Sequence, residues 1–64
     1  MKNIDLKCYL NEQKQFYNYR KNCFLVKLEN AISEKNIDNV KLLSKEIINY
    51  TKVLKGIELI LKEI

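Results

Sequence analysis

The sequence predicts an all-α protein: two long helices that form an antiparallel hairpin and assemble into a helical-bundle oligomer. Proline is absent and glycine occurs once, and these are the residues that most often make turns or interrupt helices. In the second half of the chain, apolar residues recur at alternating intervals of three and four, which places them in one line along a helix. We call this line the seam, and its members are Val40, Leu43, Ile47, Tyr50, Leu54, Ile57, Leu61 and Ile64.

The third observation is the size of the chain. Its 64 residues make a single domain, residues 1–64, and a chain this short buries only about 60% of its unfolded surface. It contains no histidine, and its two cysteines cannot complete a four-ligand zinc site. Oligomerisation is the remaining way to stabilise so small a fold, so we expect a homodimer or a higher oligomer.

The first helix is predicted over residues 4–35. Its C-terminal half is amphipathic, whereas polar residues dilute the apolar stripe of its N-terminal half. The crowding of polar residues at positions 11–18 leaves open a bend or a break in the helix there. The diluted half is expected to cover a partner subunit or to present itself to a ligand.

The connection between the helices lies within residues 33–39, and two arrangements remain open. Asn36 could end the first helix in the left-handed conformation while Asp38 caps the second, or Asn36 could itself cap the second helix. Either arrangement gives a short loop, so the two helices are antiparallel neighbours.

The second helix carries more apolar surface than one partner helix can cover, because Ile48, Val53 and Ile60 widen its seam. Large apolar patches left in water mark interfaces, and two hairpins that pair into a four-helix bundle would bury them. The residues predicted to form the oligomer interface are Leu43, Ile47, Tyr50, Leu54, Ile57 and Leu61.

The basic charge is concentrated in the first helix. Residues 1–28 hold six cationic side chains and two acids, a surplus of four, whereas residues 29–64 hold six lysines and six acids. Cations bind phosphates and aromatic rings stack on bases, so this segment is suited to RNA, DNA or a nucleotide. The candidate binding residues are Lys14, Phe16, Tyr17, Tyr19, Arg20 and Lys21. The alternative interpretation is that the rings belong to the core and the cations to a solvated face.

A second basic feature follows the back of the second helix, opposite the seam. It could be a solubilising face, follow a phosphate backbone, or lie on an anionic membrane, where Ile48 and Leu59 would contribute. Its members are Lys41, Lys45, Lys52, Lys55 and Lys62.

The sequence contains few residues that could act in catalysis, and no enzymatic activity or cofactor is expected. Without histidine, a catalyst would need paired carboxylates, an activated cysteine or an activated lysine, and the glutamates are spread among lysines. Cys8 and Cys23 are too far apart on one helix to bridge, so they are reduced and partly buried or pair between chains. No secretory signal and no apolar stretch of about 18 residues is present, which favours a cytoplasmic protein without a transmembrane segment.

Two resemblances bear on function. The length and hairpin plan are similar to plasmid-encoded RNA-regulating hairpins, which dimerise into four-helix bundles and bind paired RNA loops. Residues 43–48 resemble the Ser-Gln-Glu-Leu-Asp motif of small sporulation-type aspartyl-phosphate phosphatases, with Ser44 and Glu46 matching. Lys45 stands in place of the glutamine, and Ile48 in place of the aspartate on which that family's activity depends, so this activity is disfavoured.

These observations favour a small non-enzymatic regulator or inhibitor that acts by occupying a host or regulatory protein, in the style of phage or plasmid accessory proteins. The alternative is binding of nucleic acid or a nucleotide by the basic, aromatic first helix.

Overall fold

The computed structural model describes residues 3–64, and these residues form two α-helices and no strand. Helix α1 spans Asn3–Ser33 and helix α2 spans Ile37–Glu63. The two helices pack against each other as a hairpin whose principal extents are 49 × 14 × 14 Å. The predicted all-α hairpin is therefore confirmed. Within the described residues, neither helix has an apolar stretch that could cross a bilayer.

Helix α1 is one uninterrupted α-helix, so the break considered at positions 11–18 does not occur. The polar residues of this stretch include Glu12, Gln13 and Lys14, which are among the better helix formers. Their polarity weakens the apolar stripe without weakening the helix itself. The helix ends at Ser33, two residues before the predicted end.

The turn satisfies the last carbonyl groups of α1 with two reverse hydrogen bonds. The Asn36 amide donates to the Ala31 carbonyl at 3.0 Å, and the Lys35 amide donates to the Ile32 carbonyl at 3.0 Å. This pair of bonds is a Schellman motif, which requires a left-handed residue just after the helix. That residue is Lys35, with φ of 58°. Of the two arrangements that the sequence leaves open, the one with a left-handed Asn36 therefore does not occur.

Asn36 instead caps α2, as the second of the two sequence-based arrangements proposes. Its side-chain oxygen accepts a hydrogen bond from the Asn39 amide at 3.2 Å. Asp38 lies in the first turn of α2, where its charge complements the helix dipole. The cap and the Schellman motif together hold the hairpin's closed end, the end formed by the turn.

Replacing Lys35 with glycine is expected to raise the free energy of unfolding by about 1 kcal/mol, because a side chain in the left-handed region is strained. Urea unfolding followed by circular dichroism measures this change. Lys41→Gly is the control. Lys41 is exposed and lies within α2, where glycine lowers the free energy of unfolding by about 1 kcal/mol. Equal losses for both variants would contradict the strain at residue 35.

The core is a narrow line between the helices. The seam of α2 faces α1, with Leu54 and Ile57 buried and its other members half-buried. From α1, Leu10 and Ala31 are buried. With two helices only, each seam residue is covered from one side, which is why most of them remain partly exposed.

The hairpin exposes more surface than a compact protein of its mass. Its accessible area is 5288 Å², whereas a compact monomer of 7.7 kDa exposes about 4,300 Å². Its radius of gyration is 14.8 Å, against about 11 Å for a compact chain of this length. The excess of roughly 1,000 Å² follows from the open two-helix architecture.

Candidate functional site

The hairpin has two flanks, one on each side of the contact between the helices. An ion pair between Lys14 Nζ and Glu58 Oε1, 3.8 Å apart, bridges the helices on one flank. Residues seven positions apart are two turns apart and lie along the same edge of a helix, so residues seven or fourteen positions from Lys14 or Glu58 border the same flank. We call this side the polar flank, and its members are Lys7, Lys14, Lys21, Ser44, Thr51 and Glu58.

The opposite flank is marked by an open groove of about 390 Å³ near the closed end. Asn30 of α1 and Glu46 of α2 both line it, so the helix edges that contain these two positions border the same flank. Seven-residue steps along those edges reach Phe16 and Val53. We call this side the apolar flank, and its members are Tyr9, Phe16, Leu42, Val53 and Ile60.

The side chains of the apolar flank are between 41% and 60% exposed. Each of them immediately precedes a half-buried or buried residue of the helix contact, as Val53 precedes Leu54 and Phe16 precedes Tyr17. The flank therefore continues the core outward as an uncovered apolar surface. The sequence predicts Val53 and Ile60 as apolar surface beyond the seam, but it did not place Tyr9, Phe16 and Leu42 beside them.

Four aromatic rings form a cluster midway along the hairpin: Phe16, Tyr17, Phe24 and Tyr50. The ring centroids of Tyr17 and Phe24 lie 5.8 Å and 5.5 Å from that of Tyr50. Phe16 contacts Tyr17 edge to face at 5.5 Å. Centroid separations in this range are favourable for aromatic pairs. The cluster joins the helices and extends to the apolar flank through Phe16.

Two cations lie against the aromatic cluster. The Arg20 guanidinium carbon is 5.8 Å from the Phe16 ring centroid, and Lys27 Nζ is 5.2 Å from that of Phe24. Arg20 Nε also donates a hydrogen bond to the Tyr50 hydroxyl at 3.3 Å. Cations over ring faces are attracted by the ring quadrupole. Both side chains are exposed, so their remaining donors face solvent.

The structure distributes the six predicted nucleic-acid-binding residues over three faces. It brings together Phe16, Tyr17 and Arg20 at the aromatic cluster. Lys14 and Lys21 are half-buried on the polar flank. Tyr19 is 68% exposed, and its spacing from the contact residues places it on the back of α1. Residue Lys2, which contributes to the basic surplus, lies outside the described residues.

The groove of the apolar flank combines an apolar floor with charged side chains of both signs. Glu34 and Glu46 supply carboxylates, Lys27 an ammonium group, and Asn30 and Asn39 amides. The apolar residues that complete its lining are Phe24, Ala31, Leu42 and Leu43. Such a lining can hold an apolar side chain of a partner and bind charged groups beside it.

The described residues contain no group of three potential ligands that could hold a metal ion. Cys8 and Cys23 are both free and exposed, so the prediction that they are partly buried was wrong. In the phosphatase-like segment, Ser44 is half-buried on the polar flank and Ile48 is exposed.

Comparison with known proteins gives no family for this chain. No protein-family model, curated protein sequence or solved structure matches it. Its function is therefore inferred from its own residues and their geometry.

Proposed function

We propose that this chain is a small non-enzymatic binding protein, a regulator or inhibitor that self-associates into a helical bundle and acts by occupying a partner protein. The observation that carries the proposal is the roughly 1,000 Å² of surface exposed beyond that of a compact monomer. A standard protein interface buries about 800 Å² of each partner. The excess surface is therefore large enough for one stable interface.

The apolar flank is the surface that this interface would use. A helix in a bundle of four buries about three positions in seven, whereas a two-helix contact needs only two. In such a bundle, Val53 and Ile60 would occupy the third buried position of each heptad on α2, and Phe16 would occupy it on α1. A second hairpin that covers these three side chains would give each helix the three buried positions in seven that are typical of a four-helix bundle.

The predicted interface residues of the seam divide into two groups. Leu54 and Ile57 are already buried against α1, so a second hairpin can add little contact there. The other four are half-buried, and a second copy on the apolar flank would cover the exposed edge of Leu43, which lines the groove. These four are Leu43, Ile47, Tyr50 and Leu61.

Charge on the apolar flank is compatible with a second copy of the same chain. Arg20 and Lys27 lie at the aromatic cluster, and Glu34 and Glu46 line the groove. A two-fold pair places the same surface on both sides of the interface. Because this side of each hairpin carries two cations and two carboxylates, the interface of such a pair has a net charge of zero, and overall repulsion is small.

The double substitution Val53→Glu with Ile60→Glu is expected to weaken self-association at least a hundredfold, because it would bury two unpaired carboxylates. Sedimentation equilibrium at micromolar concentration should show a dimer or larger oligomer for the wild type and a monomer for this variant. Circular dichroism checks that both remain helical. Ile48→Glu with Leu59→Glu, on the back of the same helix, is the matched control and should associate like the wild type.

A wild type that stays monomeric, or a control pair that dissociates as completely as the flank pair, would overturn the flank as the interface. The same variants test partner binding. A host protein retained by the tagged wild type after nuclease treatment, and lost with the flank pair, is the expected result. Retention that disappears on nuclease treatment indicates nucleic acid instead.

The alternative function is binding of RNA, DNA or a nucleotide by α1. The observation that favours it is the position of Arg20 beside the exposed Phe16 ring, which combines a cation with a stacking surface. Binding would then fall steeply with salt, and removing the charges of Arg20 and Lys21 should abolish it. Phosphatase activity on a phosphorylated response regulator is disfavoured, since Ile48 occupies the position of the required aspartate.

A further inference from the structure

The outer face of α2 carries a second regular stripe, separate from the seam and from the apolar flank. Its members recur at intervals of three and four residues, and every one of them is exposed. We call it the lysine–aliphatic stripe, and it consists of Ile37, Lys41, Lys45, Ile48, Lys52, Lys55, Leu59 and Lys62. At 1.5 Å per residue, it is about 37 Å long.

The aliphatic members of the stripe are spaced by eleven residues. Eleven residues complete about three turns of an α-helix, so Ile37, Ile48 and Leu59 lie almost in one straight line. These side chains are 68%, 53% and 63% exposed. Lysines flank this line of exposed aliphatic side chains, and none of the residues that the structure describes covers it.

Two surface depressions lie along the stripe. One, of about 560 Å³, is at the closed end and is lined by three aliphatic residues and two lysines. They are Ile32, Lys35, Ile37, Val40 and Lys41. The other, of about 410 Å³, is lined by Lys55, Glu58, Leu59 and Lys62. Each depression therefore combines an aliphatic floor with at least two ammonium groups.

The stripe is positively charged from Lys41 to its end at Lys62. Five of its members are lysines, and none is an acid. The Glu58 carboxylate beside it is 3.8 Å from Lys14 Nζ and so is partly neutralised from α1. Asp38 in the first turn and Glu63 in the last turn add one negative charge each, so the five lysines still outnumber the acids beside the stripe. The face as a whole attracts anions.

We propose that this stripe docks the hairpin flat on an anionic phospholipid surface. The three aliphatic side chains would enter the boundary between headgroups and acyl chains, and the lysines would extend to lipid phosphates. Clustered lysines next to a membrane bind anionic lipids in this way. The proposal uses the face of α2 opposite the seam, so it is independent of the proposed self-association.

A nucleic acid fits this face less well than a lipid surface. The stripe contains no aromatic ring or arginine to stack on bases. A phosphate backbone would satisfy the lysines but would leave the straight line of Ile37, Ile48 and Leu59 in water. Of these two partners, only the surface of a bilayer satisfies both kinds of side chain together.

Co-sedimentation with lipid vesicles tests the proposal, with neutral phosphatidylcholine vesicles compared with vesicles that also contain phosphatidylglycerol. We expect the wild type to bind the anionic vesicles at least tenfold more tightly, and to be released by salt. Ile48→Ser with Leu59→Ser keeps the charge and should reduce binding at least fivefold. Lys52→Gln with Lys55→Gln should reduce it at least tenfold, since each lysine near the surface contributes about fivefold.

Matched control variants lie elsewhere on the hairpin. Val26→Ser removes an aliphatic side chain that is 58% exposed on α1, and Lys7→Gln removes an exposed lysine of α1 that lies outside the apolar flank. Both controls should bind vesicles within twofold of the wild type. Circular dichroism confirms that each variant remains helical.

Several outcomes would overturn the proposal. They are absence of binding to anionic vesicles, equal binding to neutral vesicles, and losses in the controls that match those of the stripe variants. Duplex RNA or DNA is the competitor to test in parallel. If it binds with the same lysine dependence but without any dependence on Ile48 and Leu59, while vesicles do not bind, the stripe is a nucleic-acid surface instead.

Discussion

Leu54→Ala is expected to lower the free energy of unfolding by about 3 kcal/mol, the usual cost of removing a buried leucine side chain. Leu54 is 6% exposed and is one of only four buried apolar residues in residues 3–64. A chain of this length has a total stability of roughly 3–10 kcal/mol. The substitution should therefore remove a large part of the stability. Urea unfolding monitored by circular dichroism, at one fixed protein concentration, measures the loss.

Leu59→Ala is the matched control for this prediction. It makes the same chemical change on the same helix, but Leu59 is 63% exposed, so the change in unfolding free energy should stay within about 0.5 kcal/mol. Similar losses at both positions would mean that the contact between the helices does not run through Leu54.

Tyr50→Ala is expected to cost about 3 kcal/mol because it removes the ring that links the helices at the aromatic cluster. The Tyr50 ring contacts both Tyr17 and Phe24 of α1, and its hydroxyl accepts the hydrogen bond from Arg20. Without it, two rings of α1 lose their partner on α2. The measurement is again the free energy of unfolding in urea.

Tyr50→Phe separates the ring from its hydroxyl. It keeps the aromatic contacts and removes only an exposed hydrogen bond of 3.3 Å, so the expected loss is at most about 1 kcal/mol. Tyr19→Ala, at a ring that is 68% exposed, should change stability little. A Phe variant as unstable as the Ala variant would show that the hydroxyl group, and not the stacked rings, joins the helices.

The main features of the fold could be predicted from local sequence patterns. The seam predicts α2 and the face that packs, because a repeat of three and four residues is a property of one helix. The shortage of glycine and proline predicts long helices, and Asn36 is one of the two caps that the sequence proposes for α2. The left-handed residue was not predictable in this way, since lysine has no preference for that conformation. Lys35 adopts it because the Schellman bonds from the turn back to the last carbonyls of α1 require it.

The candidate site was predicted less well, since a basic and aromatic segment was treated as one surface. On a single helix, Phe16, Lys14 and Tyr19 point in three directions. Which of these directions shares a flank with Val53 and Ile60 depends on the side from which α2 approaches α1. No local pattern within α1 contains that information.

The sequence by itself determined the two helices, the face of α2 that packs and the basic surplus of α1, because each depends on residues close together in the chain. The tertiary structure alone decided that Tyr50 joins Tyr17 and Phe24, and that Phe16 lies on the same flank as Val53 and Ile60. It also separated Lys14 and Lys21 from that flank. The physical reason is that a helix determines only its own periodicity, whereas a flank is made of two helices and exists only once they pack.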